Sequence, residues 1–259
     1  MTERALAPWI LRALFFTALI LVWSLLARAG YWDKTLFPSP EQVLQSLTKG
    51  LFDGSLLLAC SASLRRLLVG YAISLVAGVL LGILLARVSW IEQTLGSVVM
   101  GLQTLPSICW LPFALLWFGL NDTAILFVVV MGSLLAITVA VQDGVANLPP
   151  TYERAARSMG VGGAAMVWNV LLPASVPPIL LGAKLGWSFA WRSLMAGELL
   201  FVSVGLGHQM MMGRELGDTS QVIAVMLVII VLGLLSDRSV FGVLERRMRI
   251  RWGLGSTTS

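Results

Sequence analysis

The chain has 259 residues, 58% of them hydrophobic and 12% charged, with a net charge of +5 at pH 7. Soluble domains average about 45–50% apolar and about 25% charged residues, so the composition excludes a soluble globular enzyme, a disordered chain and a fibrous repeat. It leaves an all-α, polytopic membrane protein, because apolar runs long enough to cross a bilayer recur along the whole length.

The first run, Trp9 to Ala27, has the length needed to cross a hydrocarbon core of about 30 Å. Ala27-Arg28-Ala29 resembles a signal-peptidase site, but the apolar stretch is long for a signal peptide. An uncleaved helix is expected, with Arg12 reaching back to the interface. Phe37-Pro38-Ser39-Pro40 is a turn signal. From Glu41 to Phe52 the apolar residues Val43, Leu44, Leu47 and Leu51 follow helical spacing, which predicts a short amphipathic helix at a membrane surface.

The second span is expected over Leu67 to Ala86, with Gly78 and Gly82 forming a small-xxx-small pair that lets another helix approach closely. The third, Leu95 to Leu120, contains Pro106 and Pro112. Proline removes a backbone donor and kinks a helix, and such breaks survive in lipid only where protein or a wet cavity surrounds them. The third span is therefore expected to face the interior of the bundle. Asn121, Asp122 and Thr123 read as a tight loop before the fourth span, Ala124 to Val141. The fifth runs from Ile179 to Leu200 and the sixth from Val222 to Leu235, with a Gly- and Met-rich segment at 203–221 between them. About six transmembrane helices result. The expected domains are 1–63 (first helix and external amphipathic segment), 64–241 (core) and 242–259 (basic tail).

Six spans put both termini on one side. With the termini inside, nine arginines fall in cytoplasmic segments: Arg4, Arg87, Arg154, Arg157, Arg238, Arg246, Arg247, Arg249 and Arg251. The opposite side holds six basic residues: Arg28, Lys34, Lys49, Arg65, Arg66 and Arg214. The bias places both termini and the polar 142–173 loop in the cytoplasm. Basic residues scattered between apolar runs, and densest in the tail, point to membrane lipid rather than nucleic acid. Cys60 and Cys109 lack metal-ligand spacing and read as small buried hydrophobes. His208, the only histidine, reads as a loop residue.

The 142–173 loop is the most informative stretch. Pro149-Pro150 ends the preceding structure, and Thr151 is placed to cap a new helix. In that helix Tyr152, Ala155, Ala156 and Met159 share one face, while Glu153, Arg154, Arg157 and Ser158 lie away from it. Gly160 stops the helix as a C′ glycine. A second helical piece, Ala164 to Leu171, leads to Leu172, Pro173 and the fifth span. A short helix with a small, alanine-lined face suits docking into a groove on another protein; it also suits a plain linker between two spans.

At membrane depth the fifth span carries Lys184, Arg192 and Glu198. Intramembrane charges face a bundle interior or a cavity. Trp187 and Trp191, four apart, share a face, and Arg192 could present a cation to an anionic solute or pair with a neighbouring helix. Candidate residues of a translocation path are therefore Pro106, Trp110, Pro112, Trp187, Trp191, Arg192 and Glu198.

Arg154-Ala155-Ala156, then Gly160, then Val170-Leu171-Leu172-Pro173 resembles the EAA loop of ABC importer permeases in spacing. Arg154 stands where that family has Glu, and Glu153 lies one residue earlier, about 100° round the helix. Further stretches resemble the permeases of nitrate, taurine, alkanesulfonate and bicarbonate importers: Phe37-Pro38-Ser39-Pro40, Leu105-Pro106, Trp110-Leu111-Pro112, Trp117-Phe118-Gly119, Ala190-Trp191, Gly197-Glu198-Leu199 and Gly205-Leu206-Gly207. The resemblance implies a type I ABC importer permease-like bundle in a bacterial inner membrane. It also implies a homodimer, two cytoplasmic ATPase subunits docked on the loops, and an external solute-binding protein. ATP and Mg would then be bound by the ATPase, with no cofactor or metal in this chain. No P-loop, H-E-x-x-H or G-x-S-x-G pattern is present, so no catalytic residue is expected. On composition and charge alone, a secondary transporter or channel acting without an ATPase fits equally well.

Overall fold

The computed structural model describes residues 3–33, 35–200 and 203–251. Lys34 and the Ser/Thr-rich end of the tail, 252–259, lie outside the described residues. Twelve helices matter here: α1 (Glu3–Arg28), α2 (Pro40–Phe52), α3 (Ser55–Arg87), α4 (Ser89–Gln103), α5 (Ser107–Phe118), α6 (Asp122–Ala146), α7 (Thr151–Ser158), α8 (Trp168–Ala174), α9 (Val176–Leu200), α10 (Leu206–Glu215), α11 (Thr219–Ser236) and α12 (Gly242–Arg251). There is no strand among the described residues. Four apolar helices are long enough to cross a membrane, and the bent pairs α4–α5 and α8–α9 bring the count to six if each is one span.

The chain divides into two compact units: Met1–Ser61 with Val204–Ile230, and Ala62–Ser203 with Val231–Ser259. This division differs from the three sequential segments expected from the sequence. In the first unit, α2 starts at the turn signal. Ser39 Oγ accepts from the Gln42 amide at 3.3 Å while the Gln42 side chain accepts from the Ser39 amide at 2.8 Å, a closed capping box. Trp23 Nε1 donates to the Pro38 carbonyl at 3.0 Å and Arg28 pairs with Glu41 at 2.9 Å, tying α2 to the end of α1. Only Val43 of the expected apolar stripe is buried. The segment at 203–221 is mostly helical: α10 puts His208 on a helix, not in a loop.

In the second unit the central pair is α6 against α9, and glycine sets its distance. A Cβ added at Gly186 would collide with Ile137, and one at Gly144 with Pro178. The expected close approach at Gly78 and Gly82 is also present: added Cβ atoms would lie 2.9 Å from Ile137 Cβ and 2.7 Å from the Thr138 carbonyl, so α3 lies tight against α6. Around these contacts Ile137, Val141 and Val145 form a buried cluster covered by Tyr71, Leu75, Val79 and Ile83. In lipid this close packing, rather than exclusion of water, holds helices together.

Three expectations need correction. The second span begins at Ser55, not Leu67, because Ser, Ala and Cys between 55 and 66 are tolerated inside a long helix. Arg65 and Arg66 therefore lie within α3, not in an external loop. The third span is not one kinked helix: α4 and α5 meet at 104° across the Thr104–Pro106 break. Pro112 sits in the first turn of a helical segment, Leu111–Phe118, where a missing N–H costs nothing. Of the expected Asn121–Thr123 loop, Asp122 and Thr123 already belong to α6, and Asn121 caps it, its side chain accepting from the Ala124 amide at 3.1 Å.

Candidate functional site

The 142–173 segment presents α7 at its tip. Pro150, not Thr151, occupies the cap position, and no side chain caps the helix. Its C-terminus closes as a Schellman motif. The Val161 amide donates to the Ala156 carbonyl at 2.9 Å, and the Gly160 amide to the Arg157 carbonyl at 3.0 Å. This geometry needs a left-handed residue at C′, and Gly160 has φ +78°. Of the predicted apolar face only Ala156 is buried; Tyr152, Ala155 and Met159 are exposed, Met159 at 81%. Arg154 is exposed as well. Glu153 turns the other way: its carboxylate pairs with Arg87 Nη1 at 2.9 Å, at the last residue of α3. The helix is thus strutted to a long span on one side and bare on the other. Gly163–Met166 and α8, which carries Leu172 and Pro173, then return the chain to α9 through a 43° bend.

A cleft of about 460 Å³ opens between the α4–α5 break, α6 and α9, bounded by Gln103, Ala140, Asp143, Asn147, Leu185 and Phe189 among others. Arg192 is exposed one turn beyond Phe189, with its guanidinium carbon 5.4 Å from the Phe189 ring centre. Pro106 is exposed at the break. Trp110 joins an aromatic cluster, with Phe113 at 6.3 Å and Phe127 at 6.2 Å, that fixes α5 on α6.

Trp187, Trp191 and Glu198 do not line this cleft. Trp187 is buried, donates to Ser236 Oγ at 3.1 Å and stacks edge-on to Tyr71 at 5.0 Å. Trp191 is buried beside it. Glu198 is fully buried: it accepts from Arg66 Nη1 at 2.8 Å and from Ser63 Oγ at 2.7 and 2.8 Å. Arg66 continues to Asp122 at 2.7 Å, and Arg65 reaches the same carboxylate at 3.0 Å. One ion network therefore joins Ser63 and Arg66 of α3, Asp122 at the start of α6 and Glu198 near the end of α9. Lys184 pairs with Glu245 at 2.8 Å. Cys60 is half-buried and Cys109 is exposed, so neither is the buried hydrophobe expected. Among the described residues no cluster of three or more His, Cys, Asp or Glu could hold a metal ion.

Sequence reasoning located the short helix α7 and the charge at Arg192. It missed Gln103, Asp143 and Asn147 on the cleft, because single polar residues at span ends look like ordinary helix termini. It missed Arg66 as the partner of Glu198, because the second span was started one residue after it.

The family model for the binding-protein-dependent transport system inner membrane component matches residues 78–250. The chain belongs to this family. It is the permease subunit of an ABC importer and a multi-pass inner-membrane protein, and the family implies a separate ATPase and a binding protein as partners. The putative aliphatic sulfonates transport permease protein SsuC of Escherichia coli is 29% identical over 246 residues, 95% of this chain and 91% of the relative. The nitrate import permease protein NrtB of Synechocystis is 28% identical over 242 residues, 90% of this chain and 87% of the relative. The crystal structure of an amino acid ABC transporter with histidines shares the fold, with a TM-score of 0.64 and 18% identity over 78% of this permease and 97% of that chain.

Proposed function

We propose that two copies of this permease form the path of an importer for a small oxyanion of the sulfonate, taurine, nitrate or bicarbonate class. The observation that carries the reading is α7: a short helix strutted to α3 through Glu153–Arg87, closed by Gly160, and exposed on its other face. In this reading the exposed Tyr152, Arg154, Ala155 and Met159 meet a groove on one of two ATPase subunits, which bind ATP and Mg, while Ala156 packs inward. The chain makes no covalent chemistry and holds no cofactor. Both termini lie in the cytoplasm, and a solute-binding protein delivers the anion from outside.

ATP binding draws the ATPase subunits together, and each moves its α7. Glu153 passes that displacement to the end of α3, while α8 passes it through the 43° bend into α9. The nucleotide state thus biases a helix bundle with two arrangements. The cleft beside Phe189 receives the solute, and Arg192 supplies a cation one turn away. The named solutes of SsuC and NrtB, aliphatic sulfonates and nitrate, are anions that an arginine at membrane depth would complement.

The test is co-purification of tagged permease with its ATPase, followed by ATP hydrolysis and solute uptake in proteoliposomes. Gly160→Asp forces a side chain onto a left-handed position and is expected to abolish recovery of the ATPase while the permease still inserts. Undiminished uptake by that variant would overturn the docking role.

A further inference from the structure

A second concave surface lies away from the cleft. Trp168 of α8, Val176 and Leu180 of α9, and Leu244, Arg247 and Met248 of α12 enclose a groove of about 530 Å³. That volume is in the range of about 300–1,000 Å³ typical of ligand sites. Its lining is apolar but for Arg247, which is exposed. Glu245, two residues before Arg247, is held by Lys184, and among the described residues no carboxylate pairs with Arg247.

We infer that this groove binds an anionic phospholipid of the cytoplasmic leaflet. The inference rests on the orientation proposed above. Leu180 is four residues into α9, where the apolar fifth span begins, so this apolar wall of the groove reaches the edge of the hydrocarbon core. Arg247 is the penultimate residue of the apolar candidate span Thr219–Met248 and has Arg246, Arg249 and Arg251 near it in sequence. Basic residues directly after a span meet the headgroup layer of the anionic leaflet. Trp168 is 69% exposed at the rim, and indole rings favour that same layer. An amphiphile with a long apolar chain and one negative charge complements a groove that is apolar toward the membrane and cationic toward the cytoplasm. A peptide strand or neutral lipid would leave Arg247 unanswered.

The test uses the complete transporter, permease with its ATPase, reconstituted with equal amounts of phosphatidylglycerol and phosphatidylcholine of matched chains. Native mass spectrometry then counts retained lipid. Wild type is expected to retain phosphatidylglycerol over phosphatidylcholine by about fivefold, the effect of one interfacial arginine. Arg247→Gln is expected to bring the ratio near one, and Leu244→Trp, which fills the groove, to lower retention of both lipids. The mass of the intact complex reports that each variant assembles. A wild-type ratio near one, or variants that retain lipid as wild type does, would overturn the site. So would a photo-crosslinker at position 244 that captures the ATPase or a second permease instead of lipid. Orientation is read separately, with Cys60 and Cys109 replaced: Arg246→Cys should resist an impermeant maleimide added outside intact spheroplasts, and labelling there would overturn the leaflet assignment irrespective of lipid preference.

Discussion

Glu198 has no exposed surface and Arg66 has 5%. Taking two charges out of water costs several kcal/mol each, and their attraction only offsets that when further hydrogen bonds complete the set. Here Ser63 and Asp122 complete it. The sign of a mutation then depends on whether a charge is left behind. Arg66→Met strands a buried carboxylate and is expected to lower stability by about 3–5 kcal/mol. Removing the carboxylate as well, in Arg66→Met with Glu198→Met, should recover most of that loss, because replacing a whole buried pair with apolar groups is close to neutral. Thermal unfolding of the detergent-solubilised permease measures both. A double variant no more stable than Arg66→Met would show that the network does not act as a pair. The same residues mark a limit of sequence reading. Glu198 stood out as a charge at membrane depth, but its partner lies 132 positions away, and no local pattern links them.

Local chemistry made much of the element scale legible. The Phe37-Pro38-Ser39-Pro40 turn signal, Pro149-Pro150 with Gly160, and the Gly78/Gly82 pair each act within one or two turns, and each does in the structure what its spacing predicts. The α4–α5 break was legible only as irregularity. Proline marks where a helix ends, but the 104° turn that follows is set by the aromatic cluster on Phe127. Helix α10 was missed because Gly205 and Gly207 suggested a loop, whereas Gly205 stands at the cap position. At this scale the strut from α7 to α3 has a measurable consequence. Glu153 and Arg87 are each about one-third exposed, 34% and 33%, so screening keeps the stability cost of Glu153→Gln below about 1 kcal/mol. Its effect belongs to coupling. More ATP should be spent per solute imported in proteoliposomes, and the exchange Arg87→Glu with Glu153→Arg should restore the ratio. Unchanged stoichiometry in both single variants would remove the strut from the transmission path.

A path through a membrane needs walls on every side, and this unit supplies walls on only some. The cleft beside Phe189 is open, and the surfaces near it are uncovered: Leu181, Leu185 and Phe189 are exposed large apolar residues on one helix. A two-fold related copy would bring the same face against itself, since an isologous interface pairs each surface patch with its own image. A closed path then forms from two open halves. The prediction is made in a background in which Cys60 and Cys109, the two cysteines of the chain, are replaced. Single cysteines at Ala140, Leu185 or Phe189, treated with a short bis-maleimide linker in vesicles, should give a permease dimer at one or more positions. The yield should not change when the protein is diluted tenfold with lipid, because partners in a stable dimer hold a fixed effective concentration. A yield that falls in step with dilution at all three positions would identify chance collision and leave the cleft without its second half.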